Sequence, residues 1–476
     1  MQVKNLHRVS DYEWLIPRHG EMNVDALIIG SRKIVESMDE NIYEDLKNIA
    51  SLPGILEKLV VLPNAHPGYG FPTGCVAVFN AKDGIVSIGG VGTDINCGIR
   101  LVTTNLIYQD IEKKVETLVR AFFKHIPSGD GNQGKLILSR REIKELLTEG
   151  ALWVIKNRGM GKEDDLDFIE SGGYVEDADP DAISEDVLKK EKLQLGFIGS
   201  GNHYLELQIV DEIFDIEKAR VFGLFKNQVV VSFHAGSQNL SYQINKDYQK
   251  IFSKATQKRK ILIKNPGLLY MPINTPEGKQ FLSAVNCATN FAFANRQVIG
   301  HIVHQVFNEV IKDVDTNIMY DIGHNTIREE VHKIGVSKKK VLVHRRGSTR
   351  NFAGKMTEIS KPYKVSGQPI IVGASIGSIS YVLASREEST EKTFASTVHG
   401  TGRITTKGRS RGLSDFTHLN NEMKKRHVYL KARDKEKILE YSPHAYKDIE
   451  EVILSITKSG LSQRVARLKP IGIIKG

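Results

Sequence analysis

Short apolar runs alternate with helical patterns along the whole chain. Four runs are rich in β-branched residues and end on glycine or small polar residues, which is typical of buried strands. They are QVVVSFHAGS from position 228, NIMYDIGHN from 317, KVLVHRRGSTR from 340 and QPIIVGAS from 368. A helix is predicted over about 284–312 because apolar residues recur there at helical spacing, namely Ile299, Ile302, Val303, Val306, Phe307 and Val310. The alternation favours the α/β or α+β class, with central β-sheets and surrounding helices.

Three of these four runs close on a histidine: His234, His324 and His344. Side chains at strand ends are held rigidly, and the loops beyond them leave room for a ligand. Three such histidines in one chain indicate a converging site. His301 and His304 lie on the predicted helix, with neither a carboxylate nor a glycine turn nearby, and we interpret them as structural.

The stretch GGVGTDINCGIR places Asp94 and Cys97 three residues apart among glycines. A disulfide is disfavoured because Cys75, Cys97 and Cys287 are the only three cysteines, an odd and sparse set that suits a reducing cytoplasm. A catalytic thiol would need a histidine partner, and no local cysteine-protease pattern surrounds Cys97. A metal site fits better, because thiolate, carboxylate and imidazole together bind borderline divalent ions. A plain glycine-rich turn with a buried cysteine stays open.

Three further glycine-rich stretches carry candidate chemistry. In GSGNHYLELQIV, a glycine turn leads into Asn202 and His203, which could face a metal or a phosphate. In FASTVHGTGR, His399 lies among small residues and could donate to a phosphate or attack phosphorus. GASIGSISYV from position 373 supplies the glycines and hydroxyls of a nucleotide cradle, but it is not a Walker A motif.

The net positive charge and its uneven distribution indicate a polyanion as a further candidate partner. The 476-residue chain has 40% hydrophobic and 26% charged residues and a net charge of +10. Residues 163–186 are strongly acidic, so the rest is more basic than the total suggests, above all over 403–433. Such a surface suits nucleic acid. The N-terminus lacks a signal-peptide pattern and no run of about 18 apolar residues occurs, so we expect a cytoplasmic protein with no membrane span.

Taken together, the motifs resemble those of the RtcB family of RNA-splicing ligases, which join RNA ends using GTP and manganese. The matching stretches follow the family order over nearly the whole chain: HPGYGFPTG, GGVGTDINCGIR, GSGNHYLELQ, FHAGS, MYDIGHN, HRRGSTR, GSISYV, HGTGR, YKDIEEVI and PIGIIKG. The resemblance implies one catalytic domain over 1–476, with an acidic surface insertion at about 162–190. It also implies a manganese and GTP site at the ends of strands.

The resemblance implies a centre that holds two Mn²⁺ ions. Cys97 would bridge the two ions, Asp94 and His203 would complete the site of one, and His234 and His324 that of the other.

His399 would be the catalytic nucleophile that becomes guanylylated. The residues expected around GTP or GMP, besides His399 itself, are Asn202, His203, Tyr204, Leu205, Glu206, His324, Asn325, Gly373, Ala374, Ser375, Ile376, Ser380, Gly400, Thr401, Tyr446 and Lys475. Arg403 and Lys407 are expected to contact RNA phosphate.

The implied reaction joins an RNA 3′-phosphate or 2′,3′-cyclic phosphate to a 5′-hydroxyl through an RNA 3′-guanylylate. The expected substrates are tRNA halves or damaged RNA, and the expected partners include an archease-like activating protein.

Several positions depart from the family pattern. Gln238 and Asn239 replace an Arg-Gly pair whose arginine is expected to hold substrate phosphate, and Gln cannot supply its charge or its fork. Asn64 stands in place of an aspartate, and Thr406-Lys407 replaces Ser-Arg. Two alternatives therefore stay open: capping of 3′-phosphate ends by guanylylation without efficient joining, and an RNA-binding scaffold without catalysis.

Overall fold

The fold is given by a computed structural model, which describes residues 1–129, 134, 136–191, 195–354, 356–404 and 415–476. The strands in these ranges are β1 (His7–Arg8), β2 (Glu13–Ile16), β3 (Asp25–Ile29), β4 (Lys58–His66), β5 (Thr73–Asn80), β6 (Ile85–Ser87), β7 (Gly98–Ile107), β8 (Tyr204–Ile213), β9 (Gln228–Ala235), β10 (Tyr270–Pro272), β11 (Thr316–Ile334), β12 (Ser337–Arg350), β13 (Pro369–Val372), β14 (Ser380–Ser385), β15 (Ser396–Val398), β16 (Tyr429–Ala432) and β17 (Ser462–Lys475).

Helices lie between many of these strands, so the class is mixed α/β, as predicted. The α-helices in the described ranges are α1 (Arg32–Glu36), α2 (Asn41–Ala50), α3 (Tyr108–Ile111), α4 (Val115–His125), α5 (Arg140–Glu149), α6 (Ala151–Arg158), α7 (Glu185–Glu191), α8 (Ile216–Val221), α9 (Asn239–Arg259), α10 (Pro276–Val310), α11 (Glu388–Thr393), α12 (Phe416–Lys425) and α13 (Ile449–Lys458). Within the described part of the chain, no helix combines the length and the apolar character needed to cross a membrane.

One large mixed sheet contains most of the strands. Its order is β1-β2-β3-β4-β5-β12-β11-β7-β9-β8-β17-β14-β13, with β15 added to β12 and β16 added to β17. β6 and β10 form a separate pair. Both faces of the central strands are buried: along β9, Val229 and Val231 join one apolar cluster and Val230 joins another. This two-sided burial explains the continuous apolar run of β9, where a half-exposed strand would alternate.

The centre of the sheet brings together the sequence motifs that contain Cys97, His203, His234 and His324. β11, β7, β9 and β8 are antiparallel neighbours. Gly98, at the start of β7, pairs with Gly323 of β11 and with Ala235 at the end of β9. His234 pairs with Tyr204, the first residue of β8. The residues that precede β7 and β8 therefore meet the last residues of β9.

Helix α10 is the longest helix in the described ranges, with 35 residues, or about 50 Å at 1.5 Å per residue. Thr275 caps it by accepting a hydrogen bond from Gly278 N–H, and Pro276 occupies its first turn. It begins at 276, earlier than the predicted start near 284. The apolar spacing missed these residues because the first turns, PEGKQ, are polar.

The prediction that His324 and His344 close their strands is wrong, because both lie inside the long strands β11 and β12. His324 precedes a β-bulge, where the register shifts before Thr326. His344 is fully buried: its Nε2 accepts a hydrogen bond from Ser87 N–H at 3.2 Å, and its ring meets the edge of Phe79. His344 is therefore a structural residue of the core.

The acidic segment forms short 3₁₀ turns over Glu163–Phe168, Glu170–Gly173 and Pro180–Ala182, followed by α7. Most of its carboxylates are exposed, but Glu170 is buried. Its Oε2 accepts a hydrogen bond from Gly323 N–H at 2.8 Å, and its Oε1 lies 3.2 Å from Arg350 Nε. The segment is thus tied to β11 at the residue before His324.

A buried ion network fixes the central strands to α10. Asp321 of β11 accepts hydrogen bonds from Arg100 Nε at 2.7 Å and from Arg296 Nε at 2.9 Å, and all three side chains are fully buried. Arg296 Nη1 also donates to the carbonyls of Asn96, at 2.8 Å, and Ala235, at 3.0 Å. One carboxylate therefore holds β7, β11 and α10 together, and through Arg296 it holds the loop before β7 against the end of β9.

Replacing Asp321 with Asn should destabilise the protein by about 3–5 kcal/mol, because two buried guanidinium groups would lose their shared counter-charge. The free energy of unfolding from urea titration measures this effect. Glu329→Gln is the matched control on the same strand, since Glu329 forms an exposed pair with Lys340 and should cost less than about 1 kcal/mol. Equal losses for the two variants would contradict the role given to the buried network.

Candidate active site

A cavity of about 410 Å³ lies where β7 and β8 begin and β9 ends. Its walls include Asp94, Cys97, Asn202, His203, Tyr204, Glu206, His234, His324, Asn325, Arg346, Gly373, Ala374, Ser375, Ile376, His399, Gly400, Thr401, Arg403, Tyr441, Tyr446 and Lys475. The five residues expected to hold metal and the expected nucleophile thus share one space.

Asp94, Cys97 and His203 form the first group of candidate metal ligands. His203 Nε2 lies 3.0 Å from both Cys97 Sγ and Asp94 Oδ2. His203 Nδ1 lies 2.8 Å from the carbonyl oxygen of Ile198, which can only accept, so Nδ1 carries a hydrogen. In the tautomer with its hydrogen on Nδ1, the lone pair of Nε2 faces the thiol and the carboxylate. Three electron-pair donors pointed at one centre are stabilised by a cation.

Cys97 also belongs to a second group, with His234 and His324. Cys97 Sγ lies 3.0 Å from His234 Nε2, which in turn lies 3.3 Å from His324 Nε2. Burial lowers the pKa of both histidines well below the ordinary value, so both imidazoles are neutral, as metal ligands must be. The thiol of Cys97 thus stands between two potential ligand groups.

The thiol of Cys97 itself favours an added positive charge. Burial raises its pKa well above the ordinary value, and the Asp94 carboxylate raises the pKa further. A thiol in such surroundings ionises readily only when a cation is nearby. The thiol, carboxylate and imidazole set suits a borderline divalent ion, so the residues present fit the metal that the sequence resemblance implies.

Close backbone approach explains two glycines next to these ligands. A Cβ atom at Gly236 would lie 2.5 Å from Asp94 Oδ1, and one at Gly98 would lie 2.6 Å from the carbonyl oxygen of Ile322. Any larger residue would push the Asp94 carboxylate away or separate β7 from β11.

His399 follows β15 and lies against the second group. Its ring stacks on that of His324, with centroids 3.9 Å apart. Its Nδ1 donates to the carbonyl of Gly347 at 2.7 Å, and Asn64 Nδ2 donates to the same carbonyl at 2.8 Å. Burial lowers the pKa of His399 to about 4. The imidazole is therefore neutral, with a free lone pair on Nε2, which is the state a nucleophile needs.

Other polar groups that line the cavity suit a nucleotide. Lys475 Nζ donates to the carbonyl of His203 at 2.8 Å and lies 4.4 Å from the Tyr441 ring centroid. Burial raises the pKa of Glu206 to about 8, against the opposing charge of Lys475. Thr401 Oγ1 is buried and finds no hydrogen-bond partner among the described residues, so it is free to bind a ligand group.

Three of the predicted ligand contacts lie away from these walls or outside the described ranges. Leu205 packs in the apolar core, and Ser380 is buried, its Oγ accepting a hydrogen bond from Gln208 Nε2 at 3.3 Å. Lys407 falls outside the residues that the structure describes. Arg403 does line the cavity, and its guanidinium lies 5.3 Å from the Tyr446 ring centroid.

Sequence reasoning missed Arg346, together with His66 and Tyr441, which also line the cavity. Arg345 and Arg346 are adjacent on β12 but point to opposite faces of the sheet. Arg345 is buried against Glu330, whereas Arg346 faces the cavity and donates to the carbonyl of Gly89. Burial lowers the pKa of Arg346 to about 10, so it stays charged at neutral pH. The alternation of side-chain direction along a strand was the signal that could have revealed Arg346 in the sequence.

Comparison with known proteins identifies the family of this chain. The family model described as tRNA-splicing ligase RtcB matches residues 45–476. The chain is 40% identical to the tRNA-splicing ligase RtcB of Thermococcus kodakarensis, over 99% of both chains. It is 39% identical to that of Nanoarchaeum equitans, over 100% of both, and 36% identical to that of Archaeoglobus fulgidus, over 99% of both. The chain belongs to the RtcB family of tRNA-splicing ligases.

Proposed function

We propose that this protein is a GTP- and Mn²⁺-dependent RNA ligase that joins a 3′-phosphate or 2′,3′-cyclic phosphate end to a 5′-hydroxyl end. The observation that carries the proposal is the position of the neutral, partly buried His399 against two ligand groups that share Cys97. A nucleophile beside paired cation sites fits transfer of a nucleotidyl group.

Asp94, Cys97 and His203 would hold one ion, and Cys97, His234 and His324 the other. Bound Mn²⁺ would neutralise charge on the phosphates and on the departing pyrophosphate.

His399 acts first, on GTP. Its Nδ1–H is held by the Gly347 carbonyl, so the Nε2 lone pair attacks the α-phosphorus. A phosphorus–nitrogen bond forms as the bond to pyrophosphate breaks, and GMP stays on His399. The glycines and hydroxyls of Gly373–Ile376 and Thr401, with Glu206 and Lys475, are the groups that we assign to the nucleotide.

The GMP then passes to RNA. An oxygen of the RNA 3′-phosphate attacks the phosphorus of the GMP bound to His399. The bond between that phosphorus and His399 breaks, and His399 returns to a neutral imidazole. A cyclic phosphate must first be opened by water. The 5′-hydroxyl of the second RNA attacks the activated 3′-phosphate, its proton passes to solvent, and the bond between the 3′-phosphate and GMP breaks to release GMP. Arg346 and Arg403 line the cavity and supply the positive charge that such phosphates need.

The substrates that we propose are tRNA halves or broken RNA with these ends, and an archease-like protein is the proposed activator. A cytoplasmic location fits the cysteines, because all three are buried and free.

The His399→Ala variant should take up no label from α-labelled GTP with Mn²⁺, because no other group is proposed to attack phosphorus. Radioactivity retained on the denatured protein measures this uptake. His19→Ala is the control, since His19 is exposed on an N-terminal loop and should leave labelling unchanged. Labelling of His399→Ala at the wild-type level would exclude His399 as the nucleophile.

RNA added to the labelled protein separates ligation from the two alternatives. With RNA ends that carry a 3′-phosphate and a 5′-hydroxyl, ligation predicts loss of label from the protein and longer RNA. Label that moves to RNA ends without longer product would indicate capping alone. RNA binding with no label on the wild-type protein would indicate a scaffold and refute both enzymatic functions.

Replacing Cys97 with Ser should weaken Mn²⁺ binding by more than about tenfold, because both ligand groups lose the shared thiolate. Equilibrium dialysis with Mn²⁺ measures the affinity and the number of ions. The control is Cys287→Ala, because Cys287 is buried in α10, outside the cavity. Unchanged manganese content in Cys97→Ser would contradict a bridging role.

A further inference from the structure

We propose that Gln238 is a positioning residue that sets both Asp94 and His203 for metal binding. This inference rests on the metal centre of the proposed function. It assigns to position 238 a task other than the phosphate contact expected there from the family pattern.

The backbone of Gln238 fixes the Asp94 carboxylate. Gln238 lies between β9 and α9 and has a φ of +46°, a conformation that residues other than glycine rarely adopt. In this turn the N–H groups of Ser237 and Gln238 both donate to Asp94 Oδ1, at 2.9 and 2.7 Å. These two bonds hold one carboxylate oxygen, and the other, Oδ2, lies 3.0 Å from His203 Nε2.

The side chain of Gln238 fixes His203 through a shared carbonyl. Gln238 Nε2 donates to Ile198 O at 2.8 Å, with a longer contact of 3.4 Å to Phe197 O. His203 Nδ1 donates to the same Ile198 carbonyl at 2.8 Å. Because Nδ1 keeps its hydrogen there, Nε2 keeps its lone pair for a cation. One residue therefore governs the orientation of two of the three ligands in the first group.

The Gln238 side chain does not face the cavity. It is not among the residues that line the cavity. It packs against Gly199 so closely that a Cβ there would lie 2.3 Å from the Gln238 amide atoms. Gly199 thus provides the space that lets the amide reach the Ile198 carbonyl.

A second residue holds the same loop independently. Asn295 of α10 accepts from Gly196 N–H at 2.9 Å and from Phe197 N–H at 3.1 Å, and it donates to Phe197 O at 3.0 Å. The backbone of the loop at residues 196–198 should therefore keep its conformation when Gln238 is replaced. A variant at position 238 should fold and lose only the restraint on Ile198 and His203.

Titration with Co²⁺, followed by visible and near-ultraviolet absorption, tests the proposal without any enzymatic step. The wild type should bind two ions per chain. In Gln238→Leu, one ion should bind roughly 10–100-fold more weakly and the other should be unchanged. The absorption spectrum of the ion that Gln238→Leu still binds tightly should match the spectrum of Asp94→Ala, in which the first group is lost. It should differ from the spectrum of His324→Ala, in which the second group is lost.

Gln257→Leu is the matched control, because it makes the same substitution at an exposed position of α9, the helix that follows Gln238. Gln238→Gly relieves the strained φ while it removes the amide, so it serves if Gln238→Leu fails to fold, and it should show the same selective loss. Tight binding of both ions by folded Gln238→Leu or Gln238→Gly, or equal weakening of both, would overturn the role of Gln238. Failure of the wild type to bind Co²⁺ would instead refute the metal centre itself.

Discussion

The candidate site depends on the register of four neighbouring strands, β11, β7, β9 and β8, and one buried carboxylate ties three of them, β11, β7 and β9, together. Asp321 joins Arg100 and Arg296 in the interior, where unpaired charges are very costly. Through its bonds to the Asn96 and Ala235 carbonyls, Arg296 carries this restraint to the residues on either side of the ligands. The ligands can therefore crowd together although no covalent link holds them.

Crowding of this kind has an electrostatic consequence. A thiol, a carboxylate and three imidazoles lie around one buried centre, and burial raises the pKa of the thiol and lowers the pKa of His234 and His324. In a low dielectric, such a set of electron-pair donors is satisfied by positive charge that comes from outside the chain. His399 is partly buried against His324, and desolvation lowers its pKa to about 4, so its imidazole is neutral where the proposed chemistry needs a nucleophile.

Local patterns predicted the class of fold, the strand that carries His234 and a possible metal-ligand cluster that includes Asp94 and Cys97. They failed for His344, because a buried strand with a histidine has the same pattern whether the ring faces a cavity or, as here, Ser87 and Phe79. The orientation of Arg346 and the bonds of Gln238 depend on residues far away in sequence, and no local pattern carries that information. The resemblance to a family supplied roles for residues but could not give the direction of the Gln238 side chain.

The central claim is that Cys97 lies between two cations beside His399. Anomalous diffraction at the manganese absorption edge, from crystals grown with Mn²⁺, measures this directly. The account predicts two peaks, each within about 2.5 Å of Cys97 Sγ, close to the metal–sulfur distance of thiolate sites. One of the peaks should contact Asp94 and His203, and the other His234 and His324. A single peak, or two peaks of which either lies beyond bonding distance of Cys97, would contradict the account.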